Sequence, residues 1–416
     1  MTDPNIKDVI VIGAGIVGTC TALALQAEGR KVTILDRQDG NPRASEMNAG
    51  AFAFADIMPL AAPGIMLKAP KWLLDPLGPL SIPPAYALQI LPWLLRFWRA
   101  SLPDRYHNSL GAQASLMKLS QEALERQIKD TSAEHLIQRD GQLQLYESER
   151  EFRSSLPGWD LRREHGVDFK LLKSAAEIAE IQPGINDRFV YAGYTPDWIN
   201  TCDPAAWLAH LTDLFKSRGG LVETGNVLTL QAKEAAIQII SSAGNHLAQQ
   251  VIICTGAWSH HLAQSVGDNF PLETERGYNT TISDEAFGLR THLTFPGHGF
   301  VVTRINNGIR VGGAVELGGL KLPPNYNRSQ ILFDKAKSFL PGIGANTGRQ
   351  WMGFRPSLPD SLPVIGRSSK DPRIIYAFGH GHLGLTQAAG TAEIVATIAK
   401  SAPPPIDLSA YSPNRF

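Results

Sequence analysis

Hydrophobic and polar positions at the start of the chain predict a strand, a glycine turn, a helix and a second strand. The apolar run DVIVI at residues 8–12 is rich in β-branched side chains and predicts the first strand. The alanine- and leucine-rich segment 19–28 predicts a helix that stops at Gly29. A further β-branched run at residues 31–35 predicts the second strand. The chain therefore opens with a βαβ unit.

Later patterns extend this architecture. Asp203 and Pro204 predict the N-cap and first position of an amphipathic helix. Strands are predicted at residues 221–223, 227–230 and 250–254, and alternating segments between residues 276 and 315 predict an antiparallel sheet facing the substrate. Near the C-terminus, the predicted elements are a strand at 373–378, a glycine-rich turn at 379–384 and a helix at 385–400. The N-terminus of that helix directs partial positive charge at whatever lies over the turn.

Composition limits the class of protein. The chain has 416 residues, which predicts two domains, and 43% hydrophobic residues, which excludes a disordered chain. Its 39 basic and 39 acidic residues balance, which argues against a nucleic-acid partner. The three cysteines lack metal-ligand spacing and are odd in number, so neither a disulfide framework nor a structural zinc site is expected.

The location of the protein is predicted from two segments. The N-terminal apolar run is too short for a secretory signal, so we expect a cytoplasmic protein. An uncharged stretch at residues 76–95 contains prolines 76, 79, 83, 84 and 92, which makes a membrane-spanning helix improbable. Its flanks suit a peripheral contact with the inner face of the membrane, and they comprise Lys71, Trp72, Trp93, Arg96, Phe97, Trp98 and Arg99. A lid or packing segment is the favoured alternative.

The turn after the first strand has the dinucleotide-binding pattern GxGxxG, at residues Gly13, Ala14, Gly15, Ile16, Val17 and Gly18. Gly13 permits the tight turn, Gly15 lets a pyrophosphate approach the backbone, and Gly18 allows close packing of helix and strand. Asp36 follows the last glycine by eighteen residues and is expected to accept the ribose hydroxyls. Because this acid is present before Arg37, NADP is disfavoured. Thr255 and Gly256 form a second small-residue turn able to touch a dinucleotide.

Further motifs give the chain a resemblance to a known family. In chain order they are GAGIVG with Asp36, SEMNAG at 45–50, APGIMLKAPKW, GQLQLY, ERGY, IRVGGAVE, WMGFRPSLPDSLPVIG and FGHGHLGLTQAAG. Together they resemble the D-amino-acid oxidase and dehydrogenase superfamily of FAD enzymes. The similarity is greatest to the bacterial D-amino acid dehydrogenase (small subunit type) and D-hydroxyproline dehydrogenase branch.

The resemblance implies an α/β fold, α+β overall. A glutathione-reductase-like Rossmann domain would bind FAD, and a mostly antiparallel substrate domain would be inserted into it. The FAD-binding domain is expected at residues 1–60, 180–260 and 345–416. The substrate-binding domain is expected at residues 61–179 and 261–344.

The resemblance also implies which residues hold the cofactor. Beyond the glycine turn, Asp36 and Arg37, they are Ser45, Asn48, Ala49, Gly50, Val227, Thr255, Gly256, Gly353, His380, Gly381, His382, Leu383, Gly384, Leu385 and Thr386. Relatives that attach flavin covalently use His or Cys, and residues 45–50 offer neither, so non-covalent FAD is expected. His380 and His382 remain formal candidates for attachment.

The implied reaction is oxidation of a D-amino acid by hydride transfer from the α-carbon to flavin N5, with no protein side chain assigned as the catalytic group. The imino acid product gives a 2-oxo acid and ammonia, or stays a cyclic imine. The preferred substrate is expected to be cis-4-hydroxy-D-proline, followed by neutral D-amino acids, with oxygen or a membrane quinone as electron acceptor. Alternatives are a sarcosine- or glycine-oxidase-like amine oxidase, an NAD-dependent dehydrogenase and a non-catalytic flavoprotein subunit.

Four residues are candidates for substrate binding. Arg355 matches the family arginine that grips the substrate carboxylate with two parallel hydrogen bonds. Tyr278 can donate to the same carboxylate or pack in the sheet. Arg310 is a further positive charge or a structural residue, and His382 points at substrate or at a backbone carbonyl. Four apolar residues form a pocket or core, namely Met47, Phe52, Phe54 and Met58.

Overall fold

The computed structural model describes residues 6–37, 40, 42–74, 78–283, 287–306, 308–344 and 348–416, without the side chains of residues 68, 70–72 and 74. The strands are β1 (Ile6–Ile12), β2 (Val32–Asp36), β3 (Ala51–Phe52), β4 (Leu80–Ser81), β5 (Ile137–Gln138), β6 (Gln142–Tyr146), β7 (Lys170–Leu172), β8 (Tyr191–Thr195), β9 (Ile199–Thr201), β10 (Leu221–Thr224), β11 (Val227–Ala232), β12 (Ile237–Ser241), β13 (Gly244–Ile253), β14 (Glu273–Ser283), β15 (His292–Phe295), β16 (Phe300–Ile305), β17 (Gly308–Glu316), β18 (Arg349–Ser357), β19 (Val364–Arg367) and β20 (Ile374–Phe378).

The helices are α1 (Ile16–Ala27), α2 (Ala44–Met47), α3 (Ile65–Leu74), α4 (Ala87–Ala100), α5 (Pro103–Thr131), α6 (Glu149–Glu164), α7 (Ala175–Ile181), α8 (Pro204–Ser217), α9 (Ser259–Ser265), α10 (Asn327–Phe339) and α11 (Gly384–Ala399). Short 3₁₀ turns directly precede α4, α9 and α11, at Pro84–Tyr86, Gly256–Trp258 and Gly381–Leu383.

The first sheet carries the predicted βαβ unit. Its order is β10-β2-β1-β13-β12-β11, with β20 beside β13 and β19 beside β20. Strands β10, β2, β1, β13 and β20 run parallel, and Ile12 lies between Leu35 and Ile253 in the register. The carboxyl ends of β1, β2, β13 and β20 therefore meet at one edge, where doubly wound folds bind their ligands.

The second sheet is mostly antiparallel. Its order is β18-β14-β17-β16-β15-β6-β8-β7, with β4 beside β17. The exceptions are the parallel pairs β15–β6 and β4–β17. Helix α10 packs on one face through Leu332, Phe333 and Phe339, which closes an apolar core. The other face is left to form a site.

A small third sheet joins the two parts of the molecule. Strand β9 pairs with β3 and β5, and it thereby connects the segment after α2 to the middle of the chain. Helices α1, α5, α8 and α11 pack over the first sheet in the largest apolar cluster of the described residues.

The predicted elements of the βαβ unit, the helix at Asp203 and the antiparallel strands are confirmed, with shifts at their ends. Helix α1 begins three residues earlier than predicted, at Ile16, because the glycine turn leads directly into it. Strand β13 begins at Gly244, six residues early, because its first half pairs with β12 and its second half with β20.

The predicted domain boundaries differ from the sheet membership at two strands. Strands β8 and β18 lie inside the ranges predicted for the FAD-binding domain, yet both pair within the second sheet. Strand pairing depends on contacts across the fold, whereas the predicted boundaries followed chain position. The division into domains stays a proposal.

The proline-rich segment contains strand β4, a 3₁₀ turn at Pro84–Tyr86 and the start of helix α4. Residues 75–77, which include Pro76, and the side chains of Lys71 and Trp72 lie outside the described residues. Helix α4 contains Pro92 and buries Ile90 and Trp93 against Leu317. Of the helices in the described ranges, none has the length and apolar character that crossing a bilayer requires.

Candidate functional site

A cavity of about 1400 Å³ lies where the carboxyl edge of the first sheet meets the open face of the second. Its lining comes from the glycine turn after β1, the segment 42–56, the turn after β13, strands β14, β17 and β18, and the turn before α11. The residues predicted from distant parts of the chain are thus brought to one place.

The three glycines of the first turn have different surroundings. A Cβ on Gly13, whose φ is +106°, would lie 2.5 Å from the Cys254 carbonyl oxygen. A Cβ on Gly18 would lie 1.9 Å from the Gly13 carbonyl oxygen. Gly15 has an extended backbone, and its nearest neighbour would be the Ser45 hydroxyl at 3.2 Å. Gly13 and Gly18 are therefore required by packing, whereas a side chain on Gly15 would occupy the cavity.

The N-terminus of α1 faces this space. The Ile16 N–H donates to the Ser45 hydroxyl at 2.9 Å, which holds the segment 44–47 against the helix start. Further N–H groups of a first helical turn lack helical partners and, with the helix dipole, suit an anion. The arrangement fits the pyrophosphate of a dinucleotide.

Asp36 lies at the end of β2 and fixes the turn. One carboxylate oxygen accepts from the Ala14 N–H at 2.8 Å, and the other accepts from the Arg43 guanidinium at 2.7 Å. Burial by itself lowers the pKa of the Arg43 guanidinium, but the carboxylates of Asp36 and Glu46 outweigh this effect, so its pKa is raised. Sequence reasoning missed Arg43, because nothing in its local pattern signals a partner in β2.

The turn after β13 forms the opposite wall. The Arg37 guanidinium carbon lies 3.8 Å from the centre of the Trp258 ring, and Thr255 shares a 3.1 Å hydrogen bond with Ser259. Gly256 has a φ of +56°, and among the described residues, its chain neighbours aside, no atom lies within 4 Å of where its Cβ would be. Val227 lines the cavity at the start of β11. Trp258 is a wall residue that the sequence analysis did not single out.

The segment 45–50 is fastened to the second sheet. Asn48 donates to the Ser45 carbonyl at 2.9 Å and accepts from the Gly50 N–H at 2.8 Å. Asn279 donates to the Met47 carbonyl at 2.8 Å. Ala49 lines the cavity within this segment.

Arg310 completes this attachment. Its guanidinium donates to the Asn48 carbonyl and, at 2.8 Å, to the Thr281 hydroxyl. Burial lowers its pKa to about 10. These contacts agree with the structural role considered for Arg310, because its side chain holds the backbone of the cavity wall.

The middle of the second sheet has glycines on the face toward the cavity. Gly277 pairs with Gly353 across β14 and β18, and Gly312 pairs with Asn279 across β17. Because alternate residues of a strand share a face, Gly277, Gly353 and Gly312 lie on one face of the sheet, and we call them the glycine floor. A Cβ on Gly353 would lie 1.9 Å from the Trp351 ring, so the indole lies flat over this glycine.

Arg355 lies at one end of the glycine floor. A Cβ on Gly277 would lie 2.3 Å from an Arg355 guanidinium nitrogen, so the guanidinium rests directly on this glycine. The same group donates to the Ala314 carbonyl at 3.0 Å. Burial lowers the pKa of Arg355, and Glu275, directly opposite in the register, partly offsets this effect. The remaining donors of the fork face the cavity that Arg355 lines.

Tyr278 is engaged within the protein. Its hydroxyl donates to Glu316 at 2.9 Å and accepts from the Asn325 N–H at 3.0 Å. Burial raises its pKa to about 12. The fully buried Arg276 donates to Glu316 and to three carbonyls of the segment 319–323. Both residues hold a loop at the rim of the cavity. The contacts of Tyr278 agree with a packing role, and the contacts of Arg276 leave it engaged within the protein, unlike Arg355.

The two histidines of the C-terminal turn have different roles. His380 is buried, shares a 3.0 Å hydrogen bond with Thr391 inside α11, and has its pKa lowered to about 3 by burial. The His382 imidazole is exposed to the cavity but lies deep below the protein surface, and this depth lowers its pKa. Arg355 lowers it further, whereas Asp56 and Glu275 raise it.

The start of α11 ties this turn to β3. Thr386 accepts from the Ala53 N–H at 3.0 Å. Gly381, Gly384 and Leu385 line the cavity, and Leu383 is buried beneath them. Phe52 and Phe54 pack in the core, and Phe52 lies against Trp207. Of the two roles considered for these apolar residues, pocket or core, the core therefore applies to both phenylalanines.

Comparison with known proteins identifies the family. The family profile described as FAD dependent oxidoreductase (DAO) matches residues 8–398. The chain belongs to this family. It is 34% identical to a D-amino-acid oxidase of Bradyrhizobium diazoefficiens, over 99% of this chain and 100% of that one. It is 28% identical to D-amino acid dehydrogenase 1 of Mesorhizobium japonicum, over 98% and 99% of the two chains.

Solved structures of other enzymes share the fold. Glycine oxidase from Geobacillus kaustophilus superposes with a TM-score of 0.77 at 19% identity, over 99% of both chains. L-proline dehydrogenase from P. horikoshii has a TM-score of 0.75 at 19% identity, over 100% of this chain and 98% of that one. The predicted fold class and the FAD cofactor are confirmed. The residues around Gly15, Asp36 and Ser45 fit the dinucleotide, since a Cβ at Gly15 would take up its space.

Proposed function

We propose that this chain oxidises D-amino acids, with the substrate carboxylate held by Arg355. The observation that carries the proposal is the Arg355 guanidinium, which lies against Gly277 of the glycine floor, lines the cavity and is partly exposed. A D-amino-acid oxidase that is 34% identical over nearly the whole chain supports the choice of substrate. When bound, FAD supplies the oxidising chemistry by accepting two electrons from the α-carbon and nitrogen of the substrate.

The residues of the chain orient the substrate and exclude water. Arg355 presents two parallel N–H groups to a carboxylate, which fixes both the position and the rotation of the amino acid. The glycine floor gives the Arg355 guanidinium and the Trp351 indole room to lie against the sheet, since a Cβ on Gly277 or Gly353 would overlap them. His382 is exposed to the cavity and its pKa is lowered, so its neutral imidazole can accept a hydrogen bond from the amino group of the substrate.

The substrate preference proposed first is cis-4-hydroxy-D-proline, and neutral D-amino acids are second. An anaerobic screen tests both. Purified protein is mixed with D- and L-amino acids, cis-4-hydroxy-D-proline, glycine and sarcosine, and bleaching of the flavin absorbance is followed. Bleaching by D-amino acids supports the proposal, whereas bleaching by glycine and sarcosine alone would replace it with a secondary amine oxidase. Acid precipitation should release all flavin into the supernatant, since the FAD is proposed to be non-covalent.

The electron acceptor is proposed to be a membrane quinone, reached by a peripheral contact of α4. Four side chains lie on one exposed stripe of this helix, and Leu88 is 86% exposed; they are Leu88, Leu91, Leu95 and Trp98. Arg96 and Arg99 lie on the same helix, although Arg99 is paired with Asp104. An apolar stripe flanked by cations suits an anionic bilayer surface.

Two measurements test the acceptor. After anaerobic reduction, reoxidation by a soluble quinone analogue should be much faster than reoxidation by oxygen. Co-sedimentation with anionic vesicles should be lost in Leu88→Ser/Leu95→Ser, and a Leu221→Ser variant, at an exposed position on β10, is the control. Rapid hydrogen peroxide formation at the turnover rate would make the enzyme an oxidase.

A further inference from the structure

The segment after β3 is held rigidly against the cavity. The Asp56 N–H donates to the Ala53 carbonyl at 2.9 Å, and the Asp56 carbonyl accepts from the buried Gln113 amide at 2.8 Å. Ala53 is in turn bonded to Thr386, at the start of the helix whose preceding turn carries His382. Asp56 and His382 therefore belong to one continuous wall.

The Asp56 carboxylate can accept hydrogen bonds from a molecule in the cavity. Its side chain is 37% exposed and lines the cavity, and the nearest cation, an Arg162 guanidinium nitrogen, is 3.6 Å away. Arg162 directs its hydrogen bonds elsewhere, at 3.0 Å to the Ala55 carbonyl and 3.3 Å to the Gly158 carbonyl. Within the described part of the chain, the carboxylate oxygens of Asp56 thus make a charge contact without a short hydrogen bond.

Asp56 and Arg355 both lie near His382 in the cavity lining. The two have opposite effects on the His382 imidazole, so both lie close enough to act on it. Glu275 also acts on His382, but it is only 5% exposed and lies opposite Arg355 in the register. Asp56 is therefore the carboxylate that a bound molecule can reach.

The wall beside Asp56 is aromatic and has one more hydrogen-bonding group. Trp198 immediately precedes β9, which pairs with β3, and its ring lies 5.2 Å from the ring of His292. His292 is buried and neutral, and its Nδ1 has no hydrogen-bond partner among the described residues. Trp198 and His292 both line the cavity. This end combines an apolar surface with polar atoms, as a side-chain pocket requires.

We propose that Asp56 determines substrate specificity by accepting a hydrogen bond from a donor group on the substrate's side chain. The inference rests on the proposed function, because it assigns the carboxylate of the substrate to Arg355 and its side chain to the Asp56 end of the cavity. The substrate class is then D-amino acids whose side chain bears a hydroxyl, amide N–H or ammonium group.

The test uses pairs of D-amino acids of similar size that differ in the donor. The pairs are D-serine with D-alanine, D-glutamine with D-methionine, and D-lysine with D-norleucine. In Asp56→Ala, kcat/KM for the donor-bearing member of the preferred pair should fall about 10- to 100-fold, mainly through KM, because a hydrogen bond to a charged group is lost. The value for its apolar partner should change less than about threefold. Asp56→Asn, which keeps an acceptor oxygen, should fall between.

Controls separate the possible failures. Asp160→Ala removes an exposed carboxylate outside the cavity and should leave every ratio unchanged. FAD content and melting temperature of each variant verify folding, and Asp56→Asn replaces Asp56→Ala if the latter does not fold. An equal loss for both members of each pair would overturn the inference alone. Failure of the wild-type protein to oxidise any D-amino acid would overturn both the proposed function and this inference.

Discussion

Replacing Arg355 tests the assignment on which the proposed function depends. Arg355→Lys keeps a positive charge but loses the planar fork, and Arg355→Met loses both. Both variants keep an unbranched side chain that can lie over Gly277. Any loss of activity then reports on the guanidinium rather than on a cavity in the sheet.

The expected magnitude follows from the donors of this side chain. One guanidinium nitrogen already donates to the Ala314 carbonyl at 3.0 Å, and the fork still has two parallel N–H groups for a carboxylate. Hydrogen bonds to charged groups contribute about 1.5–3 kcal/mol each. Two of them correspond to a loss of about two to four orders of magnitude in kcat/KM for Arg355→Met, with Arg355→Lys between.

Stability must be separated from activity, because Glu275 lies opposite Arg355 and loses a nearby cation in Arg355→Met. Removing a positive charge close to a buried carboxylate destabilises the folded state. The double variant Arg355→Met/Glu275→Gln should therefore recover stability without recovering activity.

The assay is steady-state kinetics together with the rate of flavin bleaching in a single anaerobic turnover. FAD content should match the wild type, and Arg304→Met, an exposed arginine of β16 paired with Asp140, should be unaffected. Near-normal kcat/KM in Arg355→Met on the best substrate would refute the carboxylate clamp.

Three further predictions concern glycines and buried histidines. Gly277→Ala should lower kcat/KM about 10- to 100-fold through KM, because its Cβ would displace the Arg355 guanidinium, while Gly111→Ala, which meets open space, should not. Gly15→Val should fold but purify nearly colourless, since its φ of −74° suits any residue and its Cβ meets only the Ser45 hydroxyl, at 3.2 Å, beside the cavity that it fills; full flavin absorbance would contradict this assignment. His292 and His380 have pKa values of about 3, below the ordinary 6.5, so the unfolded chain binds their protons first as the pH falls. The free energy of unfolding should therefore be highest above pH 6.5 and should decrease toward pH 3, by about 1.4 kcal/mol per pH unit for each histidine. Denaturant unfolding at pH 7 and pH 5 should detect this decrease, and His380→Gln should make it smaller. Equal stability at both pH values would argue against neutral burial of the histidines.

The first sheet and the dinucleotide turn were predictable because their signals are local. A β-branched run, a glycine turn and an amphipathic or alanine-rich segment specify strand, turn and helix through neighbouring residues alone. Gly18 illustrates this, since a Cβ there would overlap the Gly13 carbonyl within the same turn. Arg355 was predictable from its motif and lies in the cavity, although its role as a clamp remains a prediction.

The partners of the other polar residues depended on the tertiary structure. Arg310 donates to the Asn48 carbonyl, and Tyr278 bonds to Glu316 and the Asn325 N–H. These partners lie on strands and loops that are distant along the chain. A phenol or a guanidinium is suited equally to a substrate carboxylate and to a protein group. The sequence by itself therefore determined which chemical groups the molecule has, and the folded chain decided which of them, such as His382 and Asp56, face the cavity. The physical reason is that a buried donor or acceptor must find a partner, and only packing brings that partner within hydrogen-bonding distance.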